Sequence, residues 1–269
     1  MAITNRDDLI NALAQTSFHA TFSKTTITTV AGRPFTFFRV SGVPVGGATP
    51  STTGAALDRT TPGALVIPAP SNTTYMVNFG VAESSINICM VYDRLVETGG
   101  LSGTVTTAQT VNSAALPSRN TTGDGTQLWL EVYTALGATP SATVTASYTN
   151  QAGTAGRTAT LIGGIPASLA ASSTLQFNLQ AGDTGLQSVQ TVTSTTSTGT
   201  AGSFGITIRD PLGVTGIPGG SSSSANGFQL GYVETGLVII PDSACLEVLF
   251  VPAATSSGTV NGAVRGVQK

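Results

Sequence analysis

Charge is what this chain has least of. Asp, Glu, Lys and Arg make up 9% of its 269 residues, against roughly 25% in an ordinary soluble domain. Only two lysines occur, Lys24 and Lys269. The nine arginines (Arg6, Arg33, Arg39, Arg59, Arg94, Arg119, Arg157, Arg209 and Arg265) are scattered singly, with no basic patch in the linear sequence. With a net charge of −2 and a pI of ≈ 5.3, the chain lacks the clustered cations that phosphate binding needs, which argues against nucleic acid as a partner.

Other absences narrow the chemistry. His19 is the only histidine and has no carboxylate or cysteine beside it in sequence, so it reads as a residue packed at a helix end. No Gly-x-Ser-x-Gly elbow occurs, and any Ser-His-Asp set would have to use that one histidine. Two cysteines and one histidine are too few soft donors for a metal centre. Cys89 and Cys245 each sit in a strand-like apolar run and read as small buried hydrophobes. A disulfide between them stays open, because strands distant in sequence can be neighbours in a sandwich. Neither a phosphate-cradling loop nor a dinucleotide fingerprint is present, and Thr122-Gly123-Asp124-Gly125 lacks the acidic spacing of a calcium loop. No cofactor is expected. No run approaches the ~20 apolar residues of a membrane helix, and Met1 to Thr16 has no signal-peptide core. The expectation is no membrane contact and synthesis in a cytoplasm.

What the chain does have is hydroxyls and glycine. Thr and Ser supply roughly a quarter of it, well above ordinary usage, and there are 32 glycines. Strand-forming Thr and Val dominate where helix formers would be needed. From Gly63 onward about a dozen strand-like runs alternate with Gly, Ser and Thr turns, and no βαβ rhythm appears. The fold class read from this is all-β: an antiparallel sandwich or jelly-roll-like body, with a short N-terminal helix and an extended arm. Thr126 to Thr149 shows the pattern best. Leu128, Leu130 and Val132 alternate with Trp129, Glu131 and Tyr133; a turn at Gly137 to Ser141 follows; then Ala142, Val144, Ala146 and Tyr148 alternate with Thr143, Thr145, Ser147 and Thr149. The stretch predicts a β-hairpin.

Three segments follow. Residues 1–62 hold the helix, the arm and a connector. Thr4 to Gln15 is the one helix, with Thr4 as its cap, Asp7 and Asp8 in its first turn and an apolar stripe of Leu9, Ile10, Leu13 and Ala14. Phe35, Phe37 and Phe38 place aromatic bulk on both faces of one strand. That strand is either buried between layers or inserted into a partner's surface, in which case Leu9, Leu13 and the three rings are the interface. Ser41 to Pro62 is a connector, flexible or crossing a surface. Residues 63–252 are the sandwich body, as one sandwich or as two dividing near 117. Within it Pro218 to Asn226 reads as a flexible loop. Residues 253–269 are a small, polar, Gly-rich tail, loose or laid along a neighbour.

Glu131, Glu247, Asp93 and Glu234 lie on strands or at their ends, but nothing in the sequence pairs them for glycoside cleavage, and an outward-facing strand carboxylate is the ordinary case. The chain is read as no enzyme. With mean hydropathy +0.23 and few surface charges to hold copies apart, much of its surface is expected to be covered by itself or a partner.

Several segments resemble a family of tailed-bacteriophage virion structural proteins. They are Val91-Tyr92-Asp93-Arg94-Leu95-Val96, Thr110-Val111-Asn112-Ser113-Ala114-Ala115-Leu116-Pro117, Leu128-Trp129-Leu130-Glu131-Val132 and Ala146-Ser147-Tyr148-Thr149-Asn150-Gln151, extended by Arg157-Thr158 and Ser188-Val189-Gln190-Thr191. The match covers roughly Gly63 to Pro211. The resemblance implies a capsid decoration (cement) protein on the outer capsid surface of the virion, with a sandwich or jelly-roll body, bound to the major capsid protein and to itself as a homotrimer. It brings no catalytic, cofactor-binding or metal residue. Two rivals share the composition: a tail or fibre component with a receptor- or carbohydrate-binding sandwich, and a carbohydrate-active enzyme using Glu131 or Glu247.

Overall fold

The structure is a computed structural model that describes residues 3–15, 17–69, 72–82, 86–199, 201–216, 227–231 and 237–269. The expected loop at Pro218 to Asn226 and the candidate Glu234 lie outside the described residues. The architecture is an antiparallel β-sandwich with one short α-helix among the described residues, as the alternation and turn spacing predict.

Helix α1 (Arg6–Gln15) leads into β1 (Ser17–Lys24). Its cap is Asn5 rather than Thr4: the Asn5 side chain accepts from the Asp8 amide at 2.9 Å, and Asp8 reaches back to the Thr4 hydroxyl at 3.0 Å. Short strands β2 (Phe35–Thr36), β3 (Gly42–Val43) and β4 (Ala55–Ala56) follow. Next come β5 (Thr74–Ala82), the long β6 (Ile86–Ser102), β7 (Gln109–Thr110) and β8 (Gln127–Thr134). Then come β9 (Val144–Asn150), β10 (Arg157–Leu161), β11 (Thr174–Asn178), β12 (Leu186–Ser194) and the long β13 (Ser203–Gly216). The chain ends with β14 (Gly227–Gly231), β15 (Val238–Ile240), β16 (Leu246–Pro252) and β17 (Val260–Gln268). The smaller sheet has the order β14-β5-β17-β1-β3, with β15 also on β5. The larger runs β2-β16-β6-β13-β8-β11-β10-β9-β12-β7, with β4 on β6.

Two sequence expectations change here. The strands of the predicted hairpin do not pair: β8 bonds to β11 and β13, and β9 to β10 and β12. Their apolar faces meet across a core instead, with Leu128, Leu130 and Val132 opposite Val144, Ala146 and Tyr148. Alternation reports which side chains share a face; it does not say whether two such faces lie side by side or stacked. The segment expected as a tail holds β17, an inner strand of the small sheet between β5 and β1. Its glycines are there for space: a Cβ on Gly262 would lie 2.3 Å from the Phe22 ring, and one on Gly266 2.3 Å from the Phe18 ring. A Gly-rich strand is what lets those two aromatic rings lie flat on the ladder.

The large sheet curls until it closes. β2 pairs with β16 on one side (Phe35↔Phe250, Thr36↔Leu249). On its other side it meets the chain entering β11, through the Phe35↔Ser173 bridge and bonds from Thr36 N to Ser172 O (3.0 Å) and Thr174 N to Pro34 O (2.9 Å). The strands β2, β16, β6, β13, β8 and β11 therefore form a ring. Outside it lie two apolar cores. One, around Leu130, Tyr148, Phe177 and Ile206, is closed by β9, β10 and β12. The other, around Phe22, Phe35, Phe79 and Phe250, is closed by the small sheet. β6 and β13 feed both: Val91 and Leu212 pack in the second, Leu95 and Ile208 in the first.

The connector 41–62 is an ordered strap across one end of the ring. Gly47 N bonds to Phe38 O (2.8 Å), Gly99 N to Ser51 O (2.8 Å) and Leu57 N to Leu95 O (2.9 Å). It lies so close to β6 that a Cβ on Gly99 would stand 2.2 Å from Pro50 O.

Candidate functional site

Six charged side chains meet in the ring. On β8, Trp129, Glu131 and Tyr133 alternate with the core leucines and face inward; the neighbouring strands do the same. Each of the six ring strands contributes at least one polar side chain to a single network: Thr36 (β2), Glu247 (β16), Arg94 (β6), Arg209 (β13), Glu131 (β8) and Thr174 (β11). Arg94 Nη2 lies 2.6 Å from Glu131 Oε2, and its Nη1 lies 3.1 Å from Glu247 Oε2. Arg209 donates to Glu247 Oε1 through Nε, to Glu131 Oε2 at 3.2 Å and to Thr174 Oγ1 at 2.9 Å. The Thr36 hydroxyl donates to Glu247 Oε2 at 2.9 Å. At the strap end Glu97 accepts from Arg94 at 2.8 Å, and Arg39 bridges Glu97 (2.6 Å) and Glu131 (2.8 Å) while donating to Ala48 O on the strap.

Three guanidiniums face three carboxylates, so the network is neutral. Arg94, Arg209, Glu131 and Glu247 have side chains 0% exposed. Burial raises the Glu131 carboxyl, but Arg94, Arg39 and Arg209 together outweigh it and bring its pKa down from 4.5 to about 2. The same carboxylates hold Arg94 well above its ordinary value against the pull of desolvation. Aromatic faces complete the lining, with Phe38 4.5 Å below the Arg94 guanidinium and Trp129 5.5 Å from that of Arg209. Removing six charges from water costs about as much as their attraction returns. The lattice therefore adds little net stability, but it penalises any arrangement that leaves one member unpaired.

The sequence places Glu131, Glu247 and Asp93 as outward-facing strand carboxylates; all three are buried, at 0%, 1% and 1% exposure. The reason is the closed ring, which gives these strands two inner faces. Asp93 is gripped outside the lattice by Arg119, through bonds of 2.6 and 2.8 Å, and accepts the Cys245 amide at 2.9 Å. Glu131 and Glu247 stand in one site, as a glycosidase pair would, but guanidiniums fill the space between them and no substrate reaches either. His19, expected at a helix end, is exposed on β1 opposite Arg265. Cys89 and Cys245 are buried free thiols; burial pushes Cys89 up to about 12.

Phe35 and Phe37 stack on Phe250, with ring centres 5.8 and 4.0 Å apart, in the core between the sheets. Phe38 packs beneath the strap with Leu57, Ala64 and Cys245. Leu9 is buried, and Leu13 is half-buried with Ala12 against Tyr75, Val77 and Val267. Of the five side chains of the expected interface, Leu9 and the three phenylalanines are thus buried within this chain and Leu13 is half-buried. Lys24 is 1% exposed and donates to Val40 O (3.1 Å) and Pro44 O (2.6 Å); burial brings its pKa down to about 8.

Two surface depressions carry no nucleophile–base pair. One is lined by Ser102, Thr104, Thr134, Ala201, Gly202 and Ser203. The other opens where β8 and β11 diverge and holds Asp183. That carboxylate is saturated by Tyr148 Oη (2.5 Å), Asn150 (2.7 Å) and Arg157 (2.9 Å).

No family model matches the chain, and no curated protein does. Among solved structures it is similar to that of the infectious bursal disease virus Gx strain, at 10% identity and TM-score 0.24, covering 95% of this chain and 82% of that one. It is also similar to the VP2 subviral particle of infectious bursal disease virus, at 10% identity and TM-score 0.22, covering 94% and 81%. A third is the triple jelly roll fold and turret assembly of an archaeal virus, at 10% identity and TM-score 0.18, covering 98% and 93%.

Proposed function

We propose that this chain is a non-enzymatic virion structural protein: a decoration protein on the outer surface of a bacteriophage head, seated on the major capsid protein and on copies of itself. The observation that carries the reading is where the charge went. Among the described residues the exposed Asp, Glu, Lys and Arg side chains are those of Arg6, Asp7, Asp58, Asp124 and Asp242; the others are half-buried or buried. Glu97, Glu131 and Glu247 are locked with three arginines in a neutral interior, while the exterior offers hydroxyls, glycines and single aliphatics such as Val45 and Val66, each 67% exposed. Such a surface is suited to lying against other protein. A body that binds only the assembled shell stabilises it by mass action.

The test is to add the purified protein to particles that lack it and to image them by electron cryo-microscopy. Regular density over the outside of the head, with DNA release shifted to higher temperature, is expected. Density confined to the tail would replace this reading with a receptor- or carbohydrate-binding tail component, and bare particles would overturn it.

A further inference from the structure

We propose that β1 pairs with β1 of a second copy, antiparallel, about a two-fold axis passing beside Ala20. The small sheet ends in an incomplete edge. β17 covers one side of β1 along all eight residues, Ser17 to Lys24, without a bulge. On the other side β3 covers only Ser23 and Lys24. It ends at Val43, directly before Pro44. Among the described residues nothing pairs with Phe18 to Phe22 on that side, which leaves a notch five residues long.

The notch fits its own strand. In an antiparallel ladder, alternate residues direct both backbone groups to the same neighbour. Thr25 N bonds to Ser41 O on the β3 side at 3.0 Å, so the odd-numbered residues face the open edge. His19 and Thr21 are therefore the residues with free N–H and C=O groups in the notch. Laying a second β1 across it with Ala20 opposite Ala20 places His19 opposite Thr21 twice over. Each pair then exchanges both bonds, giving four in all. The register stops where it must: Ser17 of the second copy would fall opposite Ser23, the position Val43 already occupies. Val43 is 62% exposed there and would be covered by the start of the second β1.

Side chains agree with this register. Phe18, Ala20 and Phe22 face inward, with Ala20 and Phe22 buried, while His19 and Thr21 are exposed. A two-fold axis perpendicular to the sheet keeps inner faces on one side. Phe18 then meets Phe22 of the second copy, and the smallest inward side chain sits at the closest approach. The devices that protect natural edges are missing, since between Ser17 and Ser23 there is no lysine, carboxylate, proline or bulge. Few charges oppose the approach of two such chains.

The pairing does not rest on the virion reading, because the dimer forms in plain solution without any shell. Sedimentation of the full chain at about 100 µM should show a dimer. Thr21→Pro removes an amide hydrogen that faces the notch, not β17, so the monomer keeps its circular dichroism while dimer affinity falls roughly thirtyfold or more. The register is read by mixing His19→Cys protein with Thr21→Cys protein under mild oxidation: the mixture should cross-link and each variant alone should not. A monomer at that concentration, or a dimer in which the mixture fails to cross-link, would overturn the proposal.

Discussion

Three glutamates decide how the interior of this protein is organised, and five exist in the whole chain. Glu97, Glu131 and Glu247 all sit in the ring lattice; Glu83 and Glu234 lie outside the described residues. Replacing Glu131 with Gln leaves Arg39, Arg94 and Arg209 with one carboxylate too few. It should destabilise the fold by about 3–5 kcal/mol at neutral pH, read from urea unfolding. The acid limb follows from the same residue. Its folded pKa lies below its unfolded value, about 2 against 4.5, so its contribution is whole above about 4.5 and fades as pH falls toward 2. The gap between wild type and Glu131→Gln should close across that window; a constant gap would mean that the charge is not what matters. Much of this was hidden in the sequence, because Arg94 and Glu247 are separated by 153 positions and spacing is silent at that range. One signal was nevertheless legible. Leu130-Glu131-Val132 and Leu246-Glu247-Val248 put a carboxylate between aliphatics in a chain that spends charge sparingly. What marks a strand with no outer face is that the carboxylate's own face is otherwise apolar, with Trp129 and Tyr133 beside Glu131 and Cys245 and Leu249 beside Glu247.

Among the elements, β17 carries the most consequence for its composition. Val260, Val264 and Val267 are each 0% exposed, and the strand is held by β5 on one side and β1 on the other. Deleting residues 260–269 should abolish the cooperative unfolding transition, because the small sheet would lose an inner strand and the core around Phe22 and Phe79 its cover. A truncated chain with an unchanged urea midpoint would restore the tail reading. The strand escaped sequence analysis because glycine weakens strand propensity on its own, and the Phe18 and Phe22 rings that need those glycines lie about 240 residues earlier. The strands β8 and β9 were legible from alternation alone, whereas the two-residue β2 that closes the ring is too short for any period to show.

At the scale of the whole molecule, two cores share two long strands. β6 spans 17 residues and β13 spans 14, and the pair enters both cores. Neither core can melt without stripping those strands from the other. Calorimetry should therefore record one transition with matching calorimetric and van't Hoff enthalpies; two separated peaks would show independent units. The antiparallel all-β class followed from composition and turn spacing, but the ring did not, because closure depends on contacts between residues more than a hundred positions apart. That closure has a mechanical meaning. A hoop has no loose stave: to prise one out, both neighbours must let go together, and the salts at the hub are flooded in the same instant. Wear by shear or by proteases should start at the outlying strands and leave the hoop until last.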